Sequence, residues 1–254
     1  MIYTITTGYS PARIWALSLA SYKKHKNPDV KYTHIYVDNH YPLNIEQNRA
    51  EIKRICQDND VIILNPGRNL GLHDGFNYAL KYCDIKPYDI IIGYDGDSNP
   101  ISYGFDGALV HALEFDHSLG WVSLMSPRAK PEILSRGYTA KQVRHLELWL
   151  THKAVVNSVC AFRGEFLLKT GGLKEENAIY GGLEAVMFPK LREMGLHWGF
   201  LTGWHEDDLY RDMQDKEYLW WKWKYAHLKE FSGDFASYVS AGCPPPSDLP
   251  LRLS

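Results

Sequence analysis

Short β-branched runs alternate, over the first half of the chain, with longer stretches whose apolar residues recur every three or four positions. Ile2 to Thr7, Thr33 to Asp38, Val61 to Leu64 and Asp89 to Tyr94 read as strands. Between them, Ser10 suits a helix N-cap with Pro11 at the first position, and Ile14, Leu17 and Ser21 follow at helical spacing. Asn44 to Gln57 reads as a second helix with an Asn44/Gln47 pair resembling a capping box. Leu72, Phe76, Ala79, Leu80 and Cys83 mark one face of a third. This alternation predicts an α/β fold with a mostly parallel sheet flanked by helices.

The second half is less regular. Trp121 to Met125 and Val155 to Arg163 read as strands, and the polar stretch Ser126 to His152 between them suits a mobile loop or lid. Gly181 to Met194 reads as a helix that Pro189 should kink or restart. His197 to Thr202 is the expected last strand, before a long aromatic and charged helix from Glu206 to Phe231. The proline-rich end, Cys243 to Pro250, suits an extended tail. One domain over residues 1–240 and a tail over 241–254 follow from this pattern, with no internal repeat.

Composition narrows the class. A chain of 254 residues, 45% hydrophobic, can bury a substantial core, and no linker divides it. Its net charge of −2 gives no support for gripping nucleic acid through the overall field, although a local basic groove stays open. Cys56, Cys83, Cys160 and Cys243 are far apart and form no C-x-x-C pair, which suits reduced thiols and a cytoplasmic protein. Met1 to Ile5 enters a strand-like run without signal-peptide features, and no segment approaches the roughly 20 apolar residues of a spanning helix. The expectation is a soluble protein or one peripherally attached to a membrane.

Right-handed crossovers place the C-terminal ends of parallel strands along one edge, where open α/β sheets bind ligands. The polar and glycine-rich residues fall there: Thr7 and Gly8, Asp38 and Asn39, Asn65 to Gly71, and Asp95-Gly96-Asp97. Two carboxylates one residue apart at the end of an apolar strand need compensation, which a hard divalent cation with oxygen ligands supplies. Residues i and i+2 of an extended chain share a face, so Asp95 and Asp97 could share one ion. The plainer reading is a solvated acidic turn. The glycines between Asn69 and Asn77 likewise suit either a phosphate cradle or a tight turn.

The order of these elements resembles the GT-A fold, and most closely glycosyltransferase family 2 with its rhamnosyltransferase-like members, over roughly Ile2 to Gly195. Val37-Asp38-Asn39 matches that family's second-strand ending, and Asn69, Gly71, Gly75 and Asn77 match its N-x-G-x-x-x-G-x-N segment. Asp95-Gly96-Asp97 matches its D-x-D, while Gly171 to Leu173, Tyr180 to Glu184 and Lys190 to Gly195 resemble its catalytic-base block. The resemblance implies an inverting transfer of one sugar from a UDP-, dTDP- or GDP-linked donor to a hydroxyl acceptor. It implies Mn2+ or Mg2+ held by Asp97, with Asp95 reaching the metal or ribose, and Glu184 as base. Thr7, Gly8, Asp38, Asn69, Gly71, Asp95 and Gly96 are the implied donor-nucleotide residues. His205 is an implied further metal ligand. Its alternative is the start of a helix whose first turn holds Glu206, Asp207 and Asp208. Leu183 stands where the family often has an acid, and the Q-x-x-R-W signature of processive members is absent, which argues against a membrane polysaccharide synthase.

The acceptor is not encoded in these motifs. Trp220 to Trp223 suits core packing with one face lining an acceptor site, or a membrane interface. Arg128, Lys130, Arg136, Lys141 and Arg144 make the 126–152 stretch basic, the natural contact for a phosphorylated or nucleic-acid acceptor. A cell-envelope glycan is the default acceptor and a modified nucleic-acid base the second. A nucleotidyltransferase and a non-catalytic sugar-nucleotide or glycan-binding module are the competing functional classes.

Overall fold

The computed structural model describes residues 1–39, 45–155, 158–174 and 183–208. Its first half is β1 (Ile2–Gly8), α1 (Ala12–His25), β2 (Thr33–Asp38), α2 (Ile45–Gln57), β3 (Ile62–Leu64), α3 (Gly71–Cys83) and β4 (Ile90–Asp95). These are the expected strands and helices, shifted by a residue or two at their ends. β5 (Ser98–Pro100), α4 (Phe105–Phe115), β6 (Leu119–Met125), α5 (Ala129–Arg136), β7 (Tyr138–Val143) and β8 (Leu146–Thr151) follow. β9 (Val159–Arg163), α6 (Gly164–Thr170), α7 (Leu183–Glu193) and β10 (His197–Asp208) complete the described chain.

The strands form one mixed sheet in the order β3-β2-β1-β4-β9-β6-β10-β8-β7, with β5 pairing β10 off this path. β3, β2, β1 and β4 are parallel. β9 runs antiparallel between β4 and β6, so β6 points the same way as β4 and its C-terminal end reaches the same edge.

Both faces of the sheet are covered, as parallel strands with two apolar faces require. Ile90, Ile92 and Tyr94 of β4 join Trp15, Leu19, Tyr22, Phe105 and Leu109 on one face. Ile91 joins Tyr3, Ile5, Phe76, Trp121, Phe162 and Trp198 on the other. The indoles of Trp121 and Trp198 stack there with centroids 3.9 Å apart.

The 126–152 stretch is not a loop. It carries α5 and the β7–β8 hairpin, in which Leu146, Leu148 and Leu150 are buried while Glu147 is exposed. β7 is the last strand of the sheet and presents Thr139, Ala140 and Gln142 to solvent, so its sequence carries the polarity of an edge. α4 escapes a periodicity reading because Phe105 to Val110, Ala112 and Leu113 are all buried, leaving no polar stripe.

Two helix starts also differ from expectation. Pro11 is the N-cap of α1 and Ser10 makes no cap bond; the amide of Ala12 instead donates to Asn48 Oδ1 of α2 at 2.6 Å. Glu206 to Asp208 extend β10 rather than opening a helix, because they pair with Pro100, Asn99 and Ser98 of β5. The rest of that expected helix, the Trp220 to Trp223 cluster, the 241–254 tail, Cys243 and Asn44 lie outside the described residues. Cys56, Cys83 and Cys160 are free thiols, and no described helix is long and apolar enough to cross a membrane.

His34 of β2 is buried among Trp15, Tyr22 and Tyr94, with its Nε2 3.1 Å from Thr6 Oγ1. Burial, and secondarily Lys26, lower its pKa from 6.5 to about 3, so the folded state keeps the ring neutral. A depressed histidine stabilises fully above its unfolded pKa and progressively less as pH falls below it. Unfolding free energy should therefore begin to fall as pH drops below 6.5 and continue toward 3. His34→Gln should remove about 1.4 kcal/mol per pH unit from that slope, measured by urea denaturation across the window.

Candidate active site

The parallel ladders bring the predicted strand-end residues side by side. Thr7 is in register with Asp95, and Gly8 with Asp38. Thr7, Asp38 and Asp97 are buried, and Asp95 is half-buried. Gly8 is required by its neighbour across the ladder: a Cβ there would lie 1.8 Å from the Tyr36 hydroxyl.

The acidic turn is fastened from below by α1. Ser18 Oγ lies 2.6 Å from the Tyr94 hydroxyl and donates to the Ser98 carbonyl at 2.5 Å. One turn later Ser21 Oγ donates to the Pro100 carbonyl at 2.7 Å. From the far side β10 pairs with β5, so Asp97 stands between two anchored segments. Gly96 packs its backbone toward Gly8 and Ser10.

Asp38 is held in an ion pair with Arg49 Nε of α2 at 3.1 Å. Next to it, Asn39 is a residue whose structural weight the sequence reading missed. Its amide donates to the Gly8 carbonyl at 2.9 Å and its Nδ2 to the Gly71 carbonyl at 2.8 Å, while its Oδ1 accepts from the Leu70 amide at 3.4 Å. Asn69 Oδ1 accepts from the Gly71 amide at 2.8 Å. The amides of Leu70 and Gly71 are thus occupied within the protein, which favours the tight-turn reading of this segment over a phosphate cradle. Gly71 has φ 81°, where a side chain is strained, and a Cβ on Gly75 would lie 2.8 Å from Thr7 Cγ2.

Asn77 closes the same helix onto the next part of the site. Its Nδ2 donates to the Leu173 carbonyl at 2.7 Å and its Oδ1 accepts from the Leu173 amide at 2.8 Å. Gly172, at φ 92°, leaves room for this contact, since a Cβ there would lie 2.3 Å from Asn77 Oδ1.

Glu184, half-buried in the first turn of α7, lines the same pocket as Thr7 and Asp95. The pocket has a volume of about 70 Å3. Leu72, Phe76, Cys160, Phe162, Leu173 and Leu183 give it apolar walls, and Gly93 its floor, where a Cβ would touch Phe76 and Phe162. Burial pushes the Cys160 thiol well up, reinforced by the charges of Asp95, Glu206 and Glu184.

His205 lies on β10 beyond the residues that pair with β5. It is exposed, its amide donates to Ser102 Oγ at 2.9 Å, and it lies three residues before Asp208, the partner of Ser98. At a rise of about 3.3 Å per residue that is roughly 10 Å along the strand. Asp207 and Asp208, opposite Asn99 and Ser98, lie closer to Asp97 in the ladder than His205 does. Glu206 is the other residue that sequence reasoning misassigned. It is buried, its Oε2 accepts from the Val159 amide at 2.7 Å and its Oε1 from the Ser158 amide at 3.3 Å.

Among the described residues no group of three or more His, Cys, Asp or Glu side chains forms a ready metal shell. The oxygens of Asp95 and Asp97 nevertheless fit a hard divalent ion whose remaining positions a ligand fills. Ser10 and Ser98, flanking the pair, have buried hydroxyls without hydrogen-bond partners among the described residues, which agrees with a polar group binding there.

No protein-family model matches the chain, and no curated protein matches its sequence. Solved structures do match. Mannosyltransferase PcManGT from Pyrobaculum calidifontis, in complex with GDP-Man and Mn2+, superposes with TM-score 0.63 at 15% identity over 96% of this chain and 66% of that one. GalNAc-T7 with UDP, GalNAc and Mn2+ gives 0.62 at 10% identity over 82% of this chain and 43% of that one. S. aureus TarS 1-349 gives 0.54 at 12% identity over 95% and 69%. The chain spans less than two thirds of the first two. The fold is that of the GT-A glycosyltransferases, as the sequence resemblance implies.

Asn77→Ala removes both bonds to Leu173 and leaves that residue's buried amide and carbonyl without their partner. A loss of about 1–3 kcal/mol is expected, seen as a lower urea midpoint at unchanged m-value.

Proposed function

We propose that the protein is a metal-dependent inverting glycosyltransferase, moving one sugar from a nucleotide-diphosphate donor to a hydroxyl acceptor. The observation that carries this reading is a pocket at the C-terminal strand edge of a GT-A sheet, lined by two carboxylates from separate elements, Asp95 of β4 and Glu184 of α7. GDP-Man with Mn2+ in one structural neighbour, and UDP, GalNAc and Mn2+ in another, support the donor class and the ion.

In this reading Thr7, Gly8, Asp38 and Gly96 line the nucleotide side, while Asn69 and Gly71 shape the turn that borders it. Asp97 and Asp95 would hold Mn2+ or Mg2+, which would offset the negative charge of a diphosphate leaving group. Glu184 takes the proton of the acceptor hydroxyl as its oxygen bonds to the anomeric carbon and the bond from that carbon to the diphosphate breaks. Attack from the face opposite the leaving group inverts the configuration. The negative charge of Glu184 is favoured by its place in the first turn of α7, where backbone N–H groups point outward. His205 has no part in this arrangement.

Asp97→Asn should abolish the thermal stabilisation that a nucleotide sugar gives with manganese and leave the stability of the free protein little changed. Glu184→Gln should keep that stabilisation and lose transfer by about 10²–10⁴-fold. Nucleoside diphosphate release into an acceptor panel is the measurement, and undiminished release by Glu184→Gln removes that residue as the base.

A further inference from the structure

His73 is a buried imidazole in a pocket whose walls are otherwise mostly apolar, and no step proposed above uses it. It sits in the first turn of α3, is 4% exposed, and lines the pocket together with Thr7, Asp95 and Glu184. Its near neighbours in that lining are Leu72, Phe76, Phe162, Leu173 and Leu183. One or two placed polar groups in an apolar pocket are what give a ligand its orientation.

The backbone that carries His73 is held on every side. Asn39 and Asn69 fix the Leu70–Gly71 turn just before it. Gly75, two residues later, packs against Thr7, and Asn77 is bonded twice to Leu173. A side chain on a segment anchored before and after is preorganised, which is how a site selects geometry rather than merely tolerating it.

We propose that His73 is a specificity-determining residue that hydrogen-bonds one hydroxyl of the sugar being transferred. This rests on the transferase reading above. Burial, only partly offset by Asp74, lowers the imidazole from 6.5 to about 4, so at neutral pH the ring carries one donor and one acceptor nitrogen and no charge. A neutral ring can pair with a sugar hydroxyl, and it does not compete for the diphosphate.

The test uses the nucleotide sugar that most stabilises the wild-type chain with manganese, drawn from a panel of UDP-, dTDP- and GDP-linked hexoses. Its single-deoxy analogues, its epimers and the bare nucleoside diphosphate complete the set. His73→Phe keeps the ring size and removes both nitrogens. It should lower kcat/KM for the full sugar by about 10²-fold or more, leave the affinity for the bare diphosphate unchanged, and affect one deoxy analogue far less than the others. His73→Gln, which keeps a donor and an acceptor, should recover part of the loss and covers the case in which the phenylalanine protein does not fold. Equal losses on all donors, or weakened binding of the bare diphosphate, would overturn the assignment, as would unchanged kinetics of His73→Phe, or, where that protein does not fold, a loss in His73→Gln that is equal on all donors. A wild-type chain that transfers no sugar overturns the transferase reading itself, and the His73 assignment with it.

Discussion

Everything at the candidate site depends on β1 being hydrogen-bonded in parallel on both sides. That one ladder sets Thr7 beside Asp95 and Gly8 beside Asp38, so residues far apart in sequence meet without any of them contacting through side chains alone. Parallel pairing with buried faces leaves little freedom to slip, because a shift of one residue would exchange the two apolar clusters of the sheet. The positions of the carboxylates are in this sense a consequence of hydrophobic burial several residues upstream.

Around that ladder the turns are closed by small polar side chains. Ser18 and Ser21 take the carbonyls of β5, Asn39 spans the gap between β1 and α3, and Asn77 reaches the Leu173 turn. Each bond is modest in net terms, about 1 kcal/mol, yet leaving its buried partner unmet costs more. Satisfied backbone groups thus hold the turns of the site, and the Asp38–Arg49 ion pair adds to them.

The first half of the fold was legible because its strands and helices carry clean period-two or period-3.6 patterns, and the strand-end motifs fell where those patterns stop. The second half was harder for physical reasons. α4 is buried almost all round, so it has no amphipathic stripe. β7 is an edge strand and is as polar as a loop. Glu206 to Asp208 have the composition of a helix start, and only the ladder to Ser98–Pro100, a contact distant in sequence, makes them strand. Motifs singled out Asp95, Glu184 and the position of Asn39. They pointed neither to the bonds Asn39 makes nor to His73 and Glu206, because a buried polar residue is recognised by what it touches, which sequence does not show.

The two hydrogen bonds between Asn77 and Leu173 also tie α3 to the turn that follows α6. Leu72, His73 and Phe76 of α3 and Leu173 of that turn line the same pocket as Glu184 of α7. A change of packing along α3 would be carried to Leu173 through these bonds, as a hinge pin carries the motion of one plate to another. Reshaping one wall of the pocket by altering α3 would then move the Leu173 wall as well, so the two walls are not independently adjustable from that helix.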